Sequence, residues 1–152
     1  MNKQTFESSE LDDLYQDIIL DHYRSPRNQK ALDSTDIETE GFNPFCGDRV
    51  VLGMKLDQGT IQQVSFKGVG CSISQASASI LSELIKGKGL NEAHNLYSIF
   101  RSMMYGENIS EQDMEELGEA EALIGVRKFP IRIKCALLSW VALEDGLKNL
   151  KA

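Results

Sequence analysis

The chain has no long hydrophobic run, which limits where the protein can work. Its longest uncharged apolar stretch, Cys135 to Leu143, is far too short for a helix that spans a bilayer. Residues 1–10 are polar and lack the basic start and apolar run of a secretory signal. We therefore expect a cytoplasmic protein with no membrane partner.

Cysteines are few and odd in number, with only three in 152 residues. Thiols stay reduced in the cytosol, so three cysteines argue against a disulfide framework and favour metal binding or catalysis. The sequence also lacks a Gly-rich nucleotide-binding motif and a Ser-His-Asp signature. Neither a nucleotide site nor a serine-hydrolase site is predicted.

Charge of one sign is missing from two segments of this acidic chain, whose net charge is −7. The segment from Glu107 to Glu121 contains no base and is typical of a solvated helix face. No acid lies between Ala122 and Leu143, where four bases precede the third cysteine: Arg127, Lys128, Arg132 and Lys134. The overall acidity excludes nucleic acid as an expected partner. The basic cluster indicates either an acidic protein partner or a solvated helix entrance.

The first half of the chain predicts one helix and then a small sheet. Apolar positions from Leu11 to His22 share one helical stripe, which Ser25-Pro26 closes. The polar residues 27–45 predict mainly a loop. Two strands are predicted at 50–56 and 60–67, joined by a hairpin turn at residues 57–59.

The second half predicts helices only. Their predicted spans are 72–86, 90–105, 110–124 and a last helix that starts at Phe129-Pro130. His22 is expected to be a half-buried helix residue and His94 a surface residue, with neither acting as a ligand. The sequence predicts a single α+β domain over residues 1–152. In it, a small antiparallel sheet of two or three strands packs against about four to five helices.

The cysteines lie where this fold would bring them together. Cys46 opens the tripeptide Cys46-Gly47-Asp48 before the first strand, and Cys71 follows the second strand, so an antiparallel hairpin places them at adjoining ends. Cys71 precedes a helix and Cys135 lies in the first two turns of the last one, where the helix dipole stabilises a thiolate. Any one of the three could be a small buried hydrophobe. Together with Asp48 they predict a site for zinc or for an iron–sulfur cluster.

Three sequence blocks carry a resemblance to a known family. They are Asn43-Pro44-Phe45-Cys46-Gly47-Asp48, then Gly70-Cys71-Ser72-Ile73-Ser74-Gln75-Ala76-Ser77-Ala78-Ser79, then Arg132-Ile133-Lys134-Cys135-Ala136. In this order they resemble the IscU-type, NifU N-terminal-like, iron–sulfur cluster assembly proteins. The resemblance extends over nearly the whole chain, because the N-terminal helix also fits.

Two departures from the general pattern indicate a branch of that family. The general scaffold has His before its third cysteine, where this chain has Lys134, and the segment around Gly87 to Gly106 is an insertion. Both features are similar to the SufU branch of Gram-positive bacteria. The resemblance implies a zinc protein that accepts persulfide sulfur from a pyridoxal-phosphate cysteine desulfurase of the SufS type. It implies Cys46 as acceptor, Asp48, Cys71 and Cys135 as the other zinc ligands, and downstream assembly proteins or apo-proteins as recipients.

Two other functions stay open at this point. The same four ligands could assemble a transient [2Fe–2S] cluster and pass it to apo-proteins, although Lys134 is a poor cluster ligand at neutral pH. Alternatively, the site could be a structural zinc module that only supports folding. We expect Arg132 to support sulfur transfer by pairing with the partner or with Asp48. Whether the chain is an enzyme by itself is left open.

Overall fold

The computed structural model describes residues 8–45 and 47–151. In chain order the described elements are α1 (Ser8–Arg24), β1 (Ile37–Asn43), β2 (Asp48–Asp57), β3 (Thr60–Val69), α2 (Ser72–Ile85), α3 (Leu90–Met104), α4 (Glu111–Glu116), a 3-10 helix (Gly118–Lys128) and α5 (Pro130–Lys151). The three strands form one antiparallel sheet in the order β1-β2-β3. The predicted α+β class is confirmed.

The hairpin between β2 and β3 fixes the register that brings the site residues together. Asp57 pairs with Thr60, so the connection has two residues, Gln58 and Gly59, with φ of 50° and 78°. Two positive φ values are the requirement of a type I′ turn, whose twist matches that of the strands. At the other end of the hairpin, Arg49 pairs with Val69. Asp48 and Gly70 therefore follow at the same edge of the sheet.

The loop predicted over residues 27–45 is wrong in part, because residues 37–43 form β1. The strand pairs with β2 from Ile37 opposite Met54 to Asn43 opposite Asp48. Its inward positions include Gly41 and Asn43 in place of large apolar residues. A Cβ on Gly41 would lie 2.9 Å from the carbonyl oxygen of Leu138, so α5 approaches too closely for a side chain. Because small or polar residues occupy these inward positions, the segment lacks the alternation of apolar residues that predicts a strand.

The helix predicted over residues 110–124 is also wrong in part. Ser110 caps the helix, since its Oγ accepts a hydrogen bond from the N–H of Asp113 at 3.1 Å. The α-helix then ends, and Gly118 takes a φ of +53°. A 3-10 helix follows and buries Ala120, Leu123 and Val126 at a spacing of three. That spacing matches the 3-10 repeat of three residues per turn.

The core lies between the sheet and the helices, with α5 in contact with both. Trp140 of α5 is fully buried and stacks on Phe100 of α3, with ring centroids 3.9 Å apart. Its indole N–H donates to Ser77 Oγ of α2 at 3.0 Å. The inserted segment noted in the sequence therefore contributes α3 to the core. No described helix is long and apolar enough to cross a membrane.

Both histidines bind carboxylates of the protein. His22 is completely buried, which corrects the expectation of half burial; its ring nitrogens lie 2.8 Å from Ser79 Oγ and 3.0 Å from a Glu119 oxygen. His94 is exposed as expected, and its Nδ1 lies 2.7 Å from an oxygen of the buried Glu144. The His22 contacts connect α1 to α2 and to the 3-10 helix.

Candidate metal centre

Asp48 is the first residue of β2, and its carboxylate is buried at the edge of the sheet, with 3% of the residue exposed. One carboxylate oxygen accepts the backbone N–H of Cys71 at 3.2 Å. The thiol of Cys71 lies 3.5 Å from the other oxygen. The backbone of Cys71 thus holds the Asp48 carboxylate in place, and the thiol of the same residue is the next candidate ligand.

Gly70 makes this close approach of the two strands possible. A Cβ at position 70 would lie 2.4 Å from Ser74 Oγ and 2.9 Å from both the Cγ and the Oδ1 of Asp48. Contacts this short require the neighbours to move, because real Cβ atoms do not approach other heavy atoms so closely. The glycine that directly precedes Cys71 therefore leaves room for the carboxylate of Asp48.

Cys71 is the N-cap residue of α2 and is exposed to solvent. It has extended backbone angles and no side-chain capping bond, and its thiol lies between Asp48 and Ser74, with 3.9 Å between the sulfur and Ser74 Oγ. The Oγ of Ser74, one turn later, donates to the Cys71 carbonyl at 3.1 Å.

Cys135 lies in the second turn of α5 and is buried, with 4% of the residue exposed. Its Sγ is 3.8 Å from the carbonyl oxygen of Ile131. The candidate ligand atoms of Asp48, Cys71 and Cys135 all lie within 4.8 Å of one another. Atoms bound to one tetrahedral zinc ion lie about 3.3–3.8 Å apart, so small side-chain adjustments bring all three into range. Two thiolates and a carboxylate fit zinc by their chemistry as well.

The fourth predicted ligand, Cys46, lies outside the described residues, so its role stays a prediction. Its chain neighbours are held by Asn43 at the end of β1. Asn43 Oδ1 accepts the N–H of Phe45 at 3.1 Å, and the Asn43 carbonyl accepts the N–H of Gly47 at 2.8 Å. Gly47 has a φ of +75°, which requires glycine in practice.

The basic residues near the site differ in their partners. Arg49, next to Asp48, donates to Glu40 at 2.8 Å, and this hydrogen bond raises the pKa of the Arg49 guanidinium. Arg132 lies over the ring of Phe129, with 5.7 Å between its Cζ and the ring centroid. Within residues 8–45 and 47–151, no ion pair joins Arg132 to Asp48. The supporting role of Arg132 stays a prediction.

Sequence reasoning missed the residues that position the ligands. Asn43 and Gly70 were noted only as parts of motifs, and Ser74 only as a member of the second block. The available signals were the pairing of Asn43 with Asp48 across the sheet and the glycine that directly precedes Cys71. The pairing of Asn43 with Asp48 requires β1, which was not predicted, whereas the closeness of Gly70 to Asp48 follows from the register of the predicted β2–β3 hairpin.

Comparison with known proteins places this arrangement in a family. Residues 14–136 match the model of the NifU-like N-terminal domain. The chain is 49% identical over 140 residues to the zinc-dependent sulfurtransferase SufU of Bacillus subtilis, with 92% of this chain and 93% of that protein covered. It is 41% identical over 141 residues to the iron–sulfur cluster assembly scaffold protein IscU of Streptococcus pyogenes, with coverage of 93% and 87%.

A solved structure has the same fold. A crystal structure from Fervidobacterium islandicum AW-1, named as a candidate iron–sulfur cluster assembly scaffold protein for the SUF system, superposes with a TM-score of 0.82. The two chains are 33% identical, and the match covers 92% of this chain and 98% of that one. The sequence-based resemblance is confirmed at the level of family and fold.

Proposed function

This chain belongs to the NifU-like N-terminal domain family of iron–sulfur cluster assembly proteins, and from that premise we propose that it is a zinc-dependent sulfur acceptor. The observation that carries the proposal is the convergence of Asp48, Cys71 and Cys135 within 4.8 Å, next to the segment that contains Cys46. The donor would be the persulfide of a pyridoxal-phosphate cysteine desulfurase of the SufS type. The 49% identity to a protein named as a zinc-dependent sulfurtransferase supports the same function. We retain the cytoplasm as the expected location.

The proposed transfer is a thiol–disulfide exchange in which no net oxidation occurs. The Cys46 thiolate attacks the outer sulfur of the donor persulfide and forms a new S–S bond. The S–S bond of the donor breaks, and its electron pair leaves with the inner sulfur as the donor thiolate. The outer sulfur keeps its proton, so Cys46 ends as a persulfide and the desulfurase cysteine is regenerated.

Zinc would be held by Asp48, Cys71 and Cys135 together with Cys46, and when bound it keeps thiols deprotonated near neutral pH. Other residues of the chain position the segment around Cys46 and the carboxylate of Asp48. Asn43 fixes the residues on both sides of Cys46 through its two hydrogen bonds. Gly70 leaves room for the Asp48 carboxylate, and Gly47 provides the backbone turn after the acceptor.

The test is the turnover of a purified cysteine desulfurase with cysteine, with and without this protein. We expect wild-type protein to accelerate the formation of alanine, because it removes the persulfide that blocks the next cycle. We expect Cys46→Ala to abolish that acceleration. A matched control is Ser72→Ala, which alters a residue next to Cys71 that is not a proposed ligand. Acceleration by Cys46→Ala equal to that of wild type would contradict the acceptor role.

A scaffold function is the second candidate, because the IscU-named relatives share 41% and 34% identity and the same fold family. In that function the [2Fe–2S] cluster is the cargo, and two thiolates with a carboxylate are chemically suitable to hold it together with Cys46. Anaerobic reconstitution with iron and sulfide separates the candidates. A stable visible chromophore that passes to an apo-protein favours the scaffold, whereas zinc that iron does not displace favours sulfur acceptance.

A further inference from the structure

Exposed apolar side chains surround the candidate metal centre. Phe45 is 79% exposed, Val69 75% and Ile131 72%, and Phe129 is 55% exposed. Phe45 precedes Cys46, Val69 lies two residues before Cys71, and the carbonyl of Ile131 contacts the Cys135 thiol. Phe129 directly precedes the helix that carries Cys135. Large apolar residues at this exposure around one site are typical of a surface that another molecule covers.

Three cations accompany these side chains, and none of them forms an ion pair in the described part of the chain. All three are exposed: Lys128 is the last residue of the 3-10 helix, and Arg132 and Lys134 lie in the first two turns of α5. Lys134 Nζ lies 4.9 Å above the ring of Phe45, and Arg132 lies over Phe129 in the same way. We call the four apolar residues and these three cations the docking rim.

We propose that the docking rim binds an acidic surface of the protein that donates sulfur, with carboxylates of that protein opposite Lys128, Arg132 and Lys134. The inference rests on the proposed function and adds the chemistry by which the donor is recognised.

Charge complementarity is the reason for choosing this occupant. The chain as a whole carries a net charge of −7, so an acidic protein would be repelled by most of its surface. Residues 122–143 contain no acid, and the exposed Arg49 is already paired with Glu40. The rim is therefore a place where a carboxylate meets unpaired positive charge beside apolar surface. Such an arrangement orients an encounter and raises its rate more than it raises the final affinity.

The partner's orientation follows from the location of the rim. Lys134 adjoins Cys135 in the chain and contacts the residue before Cys46. A carboxylate that engages Lys134 would compete with the ring of Phe45 for the ammonium group. Docking would thus place the donor over the segment that contains the acceptor cysteine.

The experiment compares two sulfur donors with one set of variants. The protein donor is a purified cysteine desulfurase loaded with persulfide by cysteine, and the second donor is a small alkyl persulfide that has no acidic surface. The variants are Lys128→Glu alone and Lys128→Glu with Lys134→Glu. The control is Lys86→Glu with Lys88→Glu, which makes the same charge change at the opposite end of α2. Zinc content is measured for each variant.

We expect KM for the protein donor to rise about threefold in the single variant and about tenfold in the double variant, as for exposed charge pairs. The dependence of the rate on salt should become weaker, while loading by the small persulfide and the control variant stay at wild-type levels. An unchanged KM and salt dependence in the double variant would overturn the docking rim. An equal loss with both donors would also overturn it, because the lysines would then act in the chemistry. Failure of both donors to load wild type would contradict the proposed function itself.

Discussion

At the scale of single residues, the site depends on how closely Asp48 and Gly70 approach each other. The carboxylate of Asp48 accepts the N–H of Cys71 and lies 3.5 Å from its thiol. That position exists because no side chain stands at residue 70. The effect on metal binding should therefore be visible in a substitution that adds only one methyl group.

We expect Gly70→Ala to weaken zinc binding by about 10- to 100-fold, which is the usual effect of disturbing the residues that orient metal ligands. The new Cβ would displace Asp48 and Ser74, since it would lie within 2.4–2.9 Å of them. The measurement is a titration of zinc against a competing chelator. Gly125→Ala is the matched control, because its Cβ would meet no atom within 4 Å. Equal zinc affinity of Gly70→Ala and Gly125→Ala would contradict this account of the site.

The candidate ligands of the site could be predicted from the sequence, whereas the residues that position those ligands could not. Thiols and a carboxylate at ligand-like positions led directly to Asp48, Cys71 and Cys135, which the structure brings together. The roles of Asn43 and Gly70 depend on distances across the sheet. The role of Asn43 requires the register of β1, which was not predicted, and the role of Gly70 requires a close approach that the predicted β2–β3 hairpin does not specify by itself.

At the scale of elements, α5 connects the site to the core. Cys135 is in its second turn, and one turn later Trp140 stacks on Phe100 of α3. Ser77 of α2 accepts from the Trp140 indole and donates to the carbonyl of Ala136 at 2.6 Å. These hydrogen bonds therefore fix α2, which Cys71 caps, to α5, which contains Cys135.

Because α3 carries none of the candidate ligands and packs on α5 through Phe100, we expect Phe100→Ala to lower stability with little effect on the metal. The loss should be about 3–5 kcal/mol, as for a large aromatic removed from a core. Denaturant unfolding measures that loss, and chelator competition should give a zinc affinity within about threefold of wild type. Asn95→Ala, at an exposed position of the same helix, should change neither quantity. A large loss of zinc affinity without loss of stability would assign α3 to the site instead.

The elements predicted correctly are those with strong local patterns. Helices α2 and α3 and the β2–β3 hairpin follow from apolar spacing and turn residues. The errors have tertiary causes: α5 leaves no room for side chains at Gly41, and Gly118 stops the acidic helix. The 3-10 helix then packs on α1, where burial and the nearby charge of Glu121 raise the pKa of Tyr15.

At the scale of the whole molecule, one apolar core extends from the interior of the fold to the candidate metal centre. The buried core contains large side chains such as Phe66, Phe100 and Trp140, and of the three candidate ligands it includes Cys135. Because most members of this core are not candidate ligands, we expect it to maintain the fold when the metal is removed.

We expect chelation of zinc to leave a folded protein with a lower melting temperature. A ligand present at about 100 times its Kd adds about 2.7 kcal/mol, so its removal should lower Tm by about 5–10 °C in a chain of this size. Circular dichroism in the far ultraviolet should still record a cooperative transition. Loss of that transition after chelation would favour the structural zinc module.

The most direct test of the central claim is to locate the sulfur after the protein has reacted with a persulfide-loaded cysteine desulfurase. Peptides from each of the three cysteines can be separated after alkylation and weighed by mass spectrometry. The account predicts that the additional sulfur atom is found on the Cys46 peptide and that the peptides of Cys71 and Cys135 are unchanged. Sulfur on Cys71 or Cys135 with Cys46 unmodified would contradict the assignment of Cys46 as the acceptor.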